Sequence, residues 1–530
     1  MNWETYHQME QKNLKSTECL RGIAIVLSIC VMGVCVYGKD IQVEKWDVFE
    51  LDLKGPHTGN PYLDIELSAV FRKDSREIKT VGFYDGQGHY IVRFSPDEEG
   101  QWTYHTQSNA AELSQKTGRL MCTTPTGNNH GPLRIVNTYY LEYADGTPFY
   151  AVGTTCYQWT SVSQNIQDTT LRTLAESPFN KIRMCVLPKH YSWNQSEPWT
   201  FPYARKGQVN DYTHPNYEFF RNVDKRVAQL NALGIQADII LFHSYDRWGY
   251  AKMGKENDDR YVRYMIARIG AYRNVWWSLA NEWDLMLHRK HKTEADFDRF
   301  FRILKKNDSH ERFRGIHNWY NTEDHFYNHN KPGVTHASIQ SSQFYKSLEW
   351  RARYPKPQLW DEVRYEGNIP KGWGNLTPEM MTAHFWMGGL TAGYVTHGEC
   401  YRTVKDDSDD VLWWGKGGKL KGKSPPRIAF FREIMEAASV REMAPKMIKL
   451  KEGKGNEGVC FILAKPGEIY LGYTLNKGRL IRFDLAGNVD YQIELIDTWN
   501  MTVQDMGTAK PGAFTYKTTA KYQAVRATRK

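Results

Sequence analysis

The sequence predicts an α/β fold: a (β/α)8 TIM barrel flanked by N-terminal and C-terminal β-sandwich domains. Three observations carry that prediction. Eight apolar, strand-like runs alternate with amphipathic helical stretches through the middle of the chain. Short alternating strands punctuated by turn residues fill both flanks. The length of 530 residues exceeds what one ordinary core holds.

Taken in chain order, the first element is a leader. Lys12, Lys15 and Arg21 precede an apolar run at 22–36, and Gly38 follows with Val36 at the small −3 position. This order predicts a signal peptide over 1–38 and an exported protein, whether periplasmic, cell-surface or secreted. The run is shorter than the ~20 residues of a membrane helix, so no permanent transmembrane span is expected. Lipid attachment at Cys35 is a poor match, because Val34 is not small. Residues 39–140 read as an N-terminal β-sandwich, with turns at Asp85-Gly86, Gly88 and Glu99-Gly100 separating runs such as "YIVRF" and "QWTYHT". The barrel is expected over 141–446. Its strands are predicted at 149–155, 181–187, 237–242, 275–280, 314–318, 334–339, 357–360 and 392–396, and "EFFRNVDKRVAQLNALG" and "RYVRYMIARIGAY" show helical three-and-four spacing. Residues 447–530 return to alternating strands, as in "GEIYLGYTL" and "YQIELIDTWNMTV", and predict a small C-terminal β-sandwich.

Composition narrows the function. Hydrophobic residues at 41% and charged residues at 24% are globular values. Aromatic residues at 14% suit either platforms for sugars or bases, or bulky sandwich cores. The net charge of +9 is mild for this length and its basic residues are interleaved with acids, which argues against nucleic acid as a partner. Of eight cysteines, three lie in the leader; the other five (Cys122, Cys156, Cys185, Cys400, Cys460) show no CxxC spacing and read as buried thiols. No HxH or HExxH pattern, Gly-rich phosphate loop or Gly-x-Ser-x-Gly elbow is present, so no metal, cofactor or serine nucleophile is expected.

A barrel builds its site at the C-terminal ends of its strands. Residues at or after those ends are Arg183, then His243, Asp246 and Trp248, then Asn281, Glu282 and Trp283, then His317 and Asn318, then Asp361, Glu362, Tyr365 and Glu366, then His397 and Glu399. Trp413 and Trp414 follow in a loop suited to stacking on a sugar. Acids on strands four and seven are what retaining glycoside hydrolysis requires, one protonated to assist the leaving oxygen and one ionised to attack the anomeric carbon. About 80 residues, roughly three βα units, separate Glu282 from Glu362, and a retaining mechanism would set the carboxyls about 5–5.5 Å apart.

"WSLANEWD", "NKIRM" and the acid at the end of strand seven resemble the clan A glycoside hydrolases, and "PQLWDEVRYEG" is most similar to their apiosidase-like catalytic domains. "VGFYDG" and "VRFSP…GQW" resemble an N-terminal sandwich of unassigned function that precedes such barrels, and "IDTWNMTV" resembles their C-terminal sandwich. The resemblance implies Glu282 as acid/base, Asn281 as a ligand of a sugar hydroxyl, and Arg183 as the cation holding the nucleophile ionised. For the nucleophile, "DEVRYE" offers Asp361, Glu362 and Glu366, with Glu362 at the family's position. The expected activity is hydrolysis of a polysaccharide or oligosaccharide. The alternative is a catalytically inactive carbohydrate-binding protein on the same scaffold.

Overall fold

The computed structural model describes residues 41–319, 325–402 and 412–530, so the leader expected at 1–38 lies outside the described residues. Residues 42–530 form one compact unit. At its centre is an eight-stranded parallel sheet. In chain order the strands are Val152–Thr155, Lys181–Cys185, Gln236–His243, Val275–Asn281, Phe313–Gly315, Ala337–Gln340, Gln358–Glu362 and Tyr394–His397. They fall on the eight predicted runs, differing at the ends. The seventh extends two residues further than predicted, so Asp361 and Glu362 belong to the strand itself.

Each strand pairs with its chain neighbour, and the eighth closes onto the first through Val152↔Val395 and Thr154↔His397. Between the fifth and sixth strands the ladder gives way to individual bonds. Thr335 N donates to Arg314 O at 2.9 Å. The Asn318 amide accepts from Gln340 N at 2.9 Å and donates to Gln340 O at 3.1 Å, standing in for a strand backbone. The chain folds into a (β/α)8 barrel. All eight strands are buried along their whole length, which is why runs such as "ADIILF" and "VWWSLA" are continuously apolar and do not alternate. The outer helices start at clear signals. Asn216 accepts from Glu218 N to cap Tyr217–Ala232, and Thr293 with Asp296 forms a capping box on Glu294–Asn307.

On the N-terminal side, antiparallel ladders join Leu67–Lys73 to Arg76–Val81 and to Gly100–Ser108. A second sheet pairs Phe49–Lys54 with His89–Phe94. Between them Phe71 stacks on Phe94 at 3.9 Å beside the buried Trp102. The hairpin Leu133–Val136/Tyr140–Tyr143 packs instead into the barrel's core through Leu133, Tyr140 and Leu141. On the C-terminal side, a six-stranded sheet and a two-stranded sheet enclose their own apolar cluster around Tyr470, Phe483 and Tyr491. Trp386 of the barrel helix Pro378–Leu390 stacks on Tyr473 of that sheet at 5.9 Å.

Charge fixes the N-terminal sandwich to the barrel. Arg268, fully buried on the helix Lys255–Ile269, bridges Asp85 at 2.7 Å and Asp224 at 2.5 Å. Arg93 reaches the same Asp224 at 2.9 Å. Gly86, beside Asp85, has φ +87°, and a Cβ there would lie 2.7 Å from the Tyr217 ring. Only glycine lets this turn approach the barrel helix so closely. Removing Arg268 leaves two buried aspartates short of a cation. Arg268→Ala is therefore expected to lower unfolding free energy in urea by about 3–5 kcal/mol. Arg221 also pairs with Asp85 but is half exposed, so Arg221→Ala should cost less than about 1 kcal/mol in the same measurement.

Candidate active site

Beneath the barrel mouth lies a charged floor. Lys181 and Arg183, two residues apart on the second strand, point to one side. Lys181 Nζ bridges Asp238 and Asp361, both at 2.7 Å, and Arg183 Nε lies 3.4 Å from Asp238. Ser338 donates to Asp361 Oδ2 at 2.6 Å and Thr396 donates to its Oδ1 at 3.1 Å. Strands two, three, six, seven and eight thus meet across the interior. Although burial alone would raise it, the Lys181 and Arg183 cations hold the Asp361 carboxyl well below the usual range.

Above this floor opens a cleft of about 720 Å³ lined by both Glu282 and Glu362. Glu282 follows the last residue of the fourth strand and leads into the helix Trp283–His288 with φ 62° and ψ 63°. A left-handed glutamate is strained by about 1–3 kcal/mol, and such residues gather at functional sites. Its backbone is held by flanking bonds from Trp283 N to His317 O at 2.9 Å and from His317 N to Ala280 O at 3.2 Å. Tyr245 donates to Glu282 Oε2 at 2.5 Å. The carboxyl is 5% exposed. Burial first, and then the negative charge of Glu362, push it up to about 8.

Glu362 receives hydrogen bonds from Tyr365 and, at 3.2 Å, from Trp373 Nε1. Both go to Oε1, and Oε2 is buried with no hydrogen-bond partner among the described residues. His317 Nε2 lies 3.4 Å from that oxygen, and burial lowers this imidazole well below its ordinary range, so it is neutral. A register shift after Ile339 pairs Gln340 with Glu362 and leaves Asp361 unmatched. This bulge lets two consecutive acids both turn inward, one to the floor and one to the mouth. Gly398 backs the Tyr365 ring, and a Cβ there would lie 2.0 Å from Tyr365 Cδ1.

Residues 136–399 match the family described as apiosidase-like, catalytic domain. Residues 42–109 and 459–528 match two domains of unknown function, DUF5060 and DUF5605. A solved structure from Bacteroides vulgatus ATCC 8482, classed as a glycoside hydrolase, is 34% identical, covers 93% of this chain and 100% of its own, and superposes with a TM-score of 0.83. The chain belongs to the glycoside hydrolases with an apiosidase-like catalytic domain. Two more distant structures share the fold. One is described simply as a glycoside hydrolase, at 13% identity, coverage of 77% and 99%, and a TM-score of 0.60. The other is a glycoside hydrolase family 5 protein from Bacteroides vulgatus ATCC 8482, at 12% identity, coverage of 77% and 95%, and a TM-score of 0.59. No curated protein matches the chain.

In this glycoside hydrolase, Glu282, Glu362, Asp246, Tyr365 and Trp414 line the cleft as expected. Asn281 sits behind Glu282, fully buried, with neither amide atom finding a hydrogen-bond partner among the described residues. Such an amide costs about 1–3 kcal/mol per unmet group. Asp246 accepts from the N–H groups of Trp248, Gly249 and Ala251, which makes it a brace for its own loop.

Other expectations are corrected. Arg183 was expected to hold the nucleophile ionised, but it lies in the floor, with Nε 3.4 Å from Asp238 and Nη1 donating to the Asp361 carbonyl at 3.3 Å, and no ion pair joins it to Glu362 among the described residues. Glu366 is not at the mouth: Ser424 Oγ, Ser424 N, Lys423 N and Tyr401 bind its oxygens, so it pins the start of the helix Ser424–Ala437. Glu399 binds Lys421 N at 2.6 Å and Gly422 N at 2.7 Å. His243 bonds Leu187 O at 3.1 Å, and Asn318 closes the barrel seam. His397 stacks on Phe179, and Trp413 is bonded to Thr154 beneath the cleft wall. Trp248 and Trp283 are tied to Glu197 and to His325 O. None of these groups is among the residues lining the cleft.

Lys189, Tyr157, Trp193, Trp319 and Trp373 do line it and carried no assignment from sequence. They sit on loops with no periodic pattern, and only the aromatic excess hinted at them. Two outcomes follow for neighbours of the pair. Gly398→Ala drives a Cβ into the buried Tyr365 ring, so thermal unfolding should show a loss of about 1–3 kcal/mol, with Glu362 losing its Tyr365 bond. Glu366→Ala removes a helix-start anchor and should destabilise by a similar ~1–3 kcal/mol while leaving the Glu282 and Glu362 carboxyls in place, read by the same melt and by activity.

Proposed function

We propose that this protein is a retaining glycoside hydrolase that cleaves a polysaccharide or oligosaccharide, with Glu282 as acid/base and Glu362 as nucleophile. The observation that carries the reading is one cleft with two acids in opposite conditions. Glu282 is buried and holds its proton at neutral pH. Glu362 has one oxygen fixed by two donors and the other open.

In the first step, Glu362 Oε2 attacks the anomeric carbon as the glycosidic C–O bond breaks. Glu282 gives its proton to the departing oxygen, which leaves as an alcohol. Tyr245 occupies Glu282 Oε2, so the proton is delivered from Oε1. In the second step, Glu282, now a carboxylate, takes a proton from water. The water oxygen attacks the anomeric carbon, the ester bond to Glu362 breaks, and the sugar leaves with its original configuration. Asn281 bonds a sugar hydroxyl next to the reacting carbon, using the amide that has no protein partner. Trp414 and Trp373 supply apolar faces for sugar rings along the wall. The leader at 1–38 supports export as part of this reading. The flanking sandwiches are taken as the separate domains 39–140 and 447–530 around the barrel at 141–446.

A panel of defined oligosaccharides tests this directly. Wild-type protein should cleave at least one member, and Glu282→Gln and Glu362→Gln should each reduce turnover by about 10²–10⁴-fold or more. Full activity in either variant sinks the assignment. Because Glu282 must be protonated to act and is pushed up to about 8, kcat/KM should hold through neutral pH and fall as pH rises past that value. Glu282→Gln should lose that alkaline limb.

A further inference from the structure

Among the groups lining the cleft, Lys189 is an outlier. Its side chain is 2% exposed, yet no acid lies in ion-pair range of it among the described residues. A buried ammonium ordinarily has such a partner. Here its surroundings are aromatic. Nζ lies 3.4 Å from the centroid of the Tyr157 ring, 4.6 Å from that of Tyr245 and 5.4 Å from that of Tyr191. Ring faces attract a cation, and desolvated contacts of this kind are strong enough to hold one in place.

Two of these tyrosines connect the cation to the reacting pair. Tyr245 donates its hydroxyl hydrogen to Glu282 Oε2 at 2.5 Å. The Tyr157 hydroxyl lies 3.4 Å from that of Tyr365, and Tyr365 donates to Glu362 Oε1. Lys189 is thus packed on the rings whose hydroxyls lead to each carboxyl. Arg183 is held by Asp238 and Asp361 on the floor, so Lys189 is the buried cation nearest in role to what Arg183 was expected to do.

We propose that Lys189 is a positioning residue that supplies the positive charge balancing Glu282 and Glu362 and holds the tyrosines that orient both carboxyls. This rests on the assignment of that pair. The charged and titratable groups facing Lys189 are Glu282, Glu362, Arg183, Cys185, His243, His317 and the tyrosines 157, 191 and 245. Burial first, and then the Arg183 cation, disfavour the ammonium and lower the Lys189 pKa below its ordinary value, while the two glutamates favour the charged form. Removing the cation disfavours ionisation of Glu282, so the alkaline limb of the kcat/KM profile moves to higher pH.

The test compares wild type, Lys189→Met, Lys189→Gln and Lys189→Arg on a substrate that wild type cleaves. The uncharged variants should shift the alkaline limb upward by about one pH unit or more and lower kcat at least tenfold, with KM changed little. Lys189→Arg should keep that limb near its wild-type position. If the Met variant does not fold, the Gln variant gives the same readout. An alkaline limb that coincides with wild type overturns the proposal and leaves a packing role. A rise in KM alone, with that limb unmoved, overturns it in favour of a direct contact with substrate. Absence of any cleavage by wild type instead contradicts the assignment of function and is separately recognisable.

Discussion

The site depends on the buried ion cluster that spans the barrel interior. Lys181, Arg183, Asp238 and Asp361 come from three strands, and Ser338 and Thr396 tie in two more. Burying such charges is expensive unless every one is met. Here Lys181 meets both aspartates, while the remaining Asp361 oxygen is taken by Ser338. The cluster therefore fixes the rotation of strand seven one residue below Glu362, and the bulge at Asp361 turns Glu362 up into the cleft.

Above that floor Glu282 and Glu362 sit in different surroundings. Glu282 is desolvated on a strained turn and faces a like charge, and both effects favour its protonated form. Glu362 is bonded through one oxygen to a phenol and an indole, which leaves the other directed and unencumbered. Two carboxyls in different environments are the pattern by which one cleft runs both acid and nucleophilic chemistry. Tyr365 shows how far the support extends, since its ring rests on Gly398 just after the eighth strand and its backbone bonds the loop carrying Trp373.

Much of the fold was legible because its signals are periodic. Eight fully buried parallel strands leave eight apolar runs, and their order alone puts Glu282 and Glu362 at the mouth. What was not legible is local and aperiodic. The three acids of "DEVRYE" could not be sorted by strand alternation, because the bulge breaks it. Glu366 and Glu399 follow strand ends but turn to backbone amides at 421–424. Arg183 matched a motif, yet its partners lie on strands three and seven, which no spacing in the chain reveals. Lys189 and the cleft tryptophans come from loops whose shape is set only when the barrel closes.

In the proposed reaction Glu362 forms a covalent bond to the sugar while Glu282 manages the proton. The most direct measurement incubates the protein with an activated 2-fluoro glycoside of a sugar it cleaves, then locates the label by peptide mass spectrometry. One glycosyl group is expected on the Glu362 side chain, absent in Glu362→Gln. A label on Asp361 or Glu366, or release of the opposite anomer with no covalent species, would contradict it.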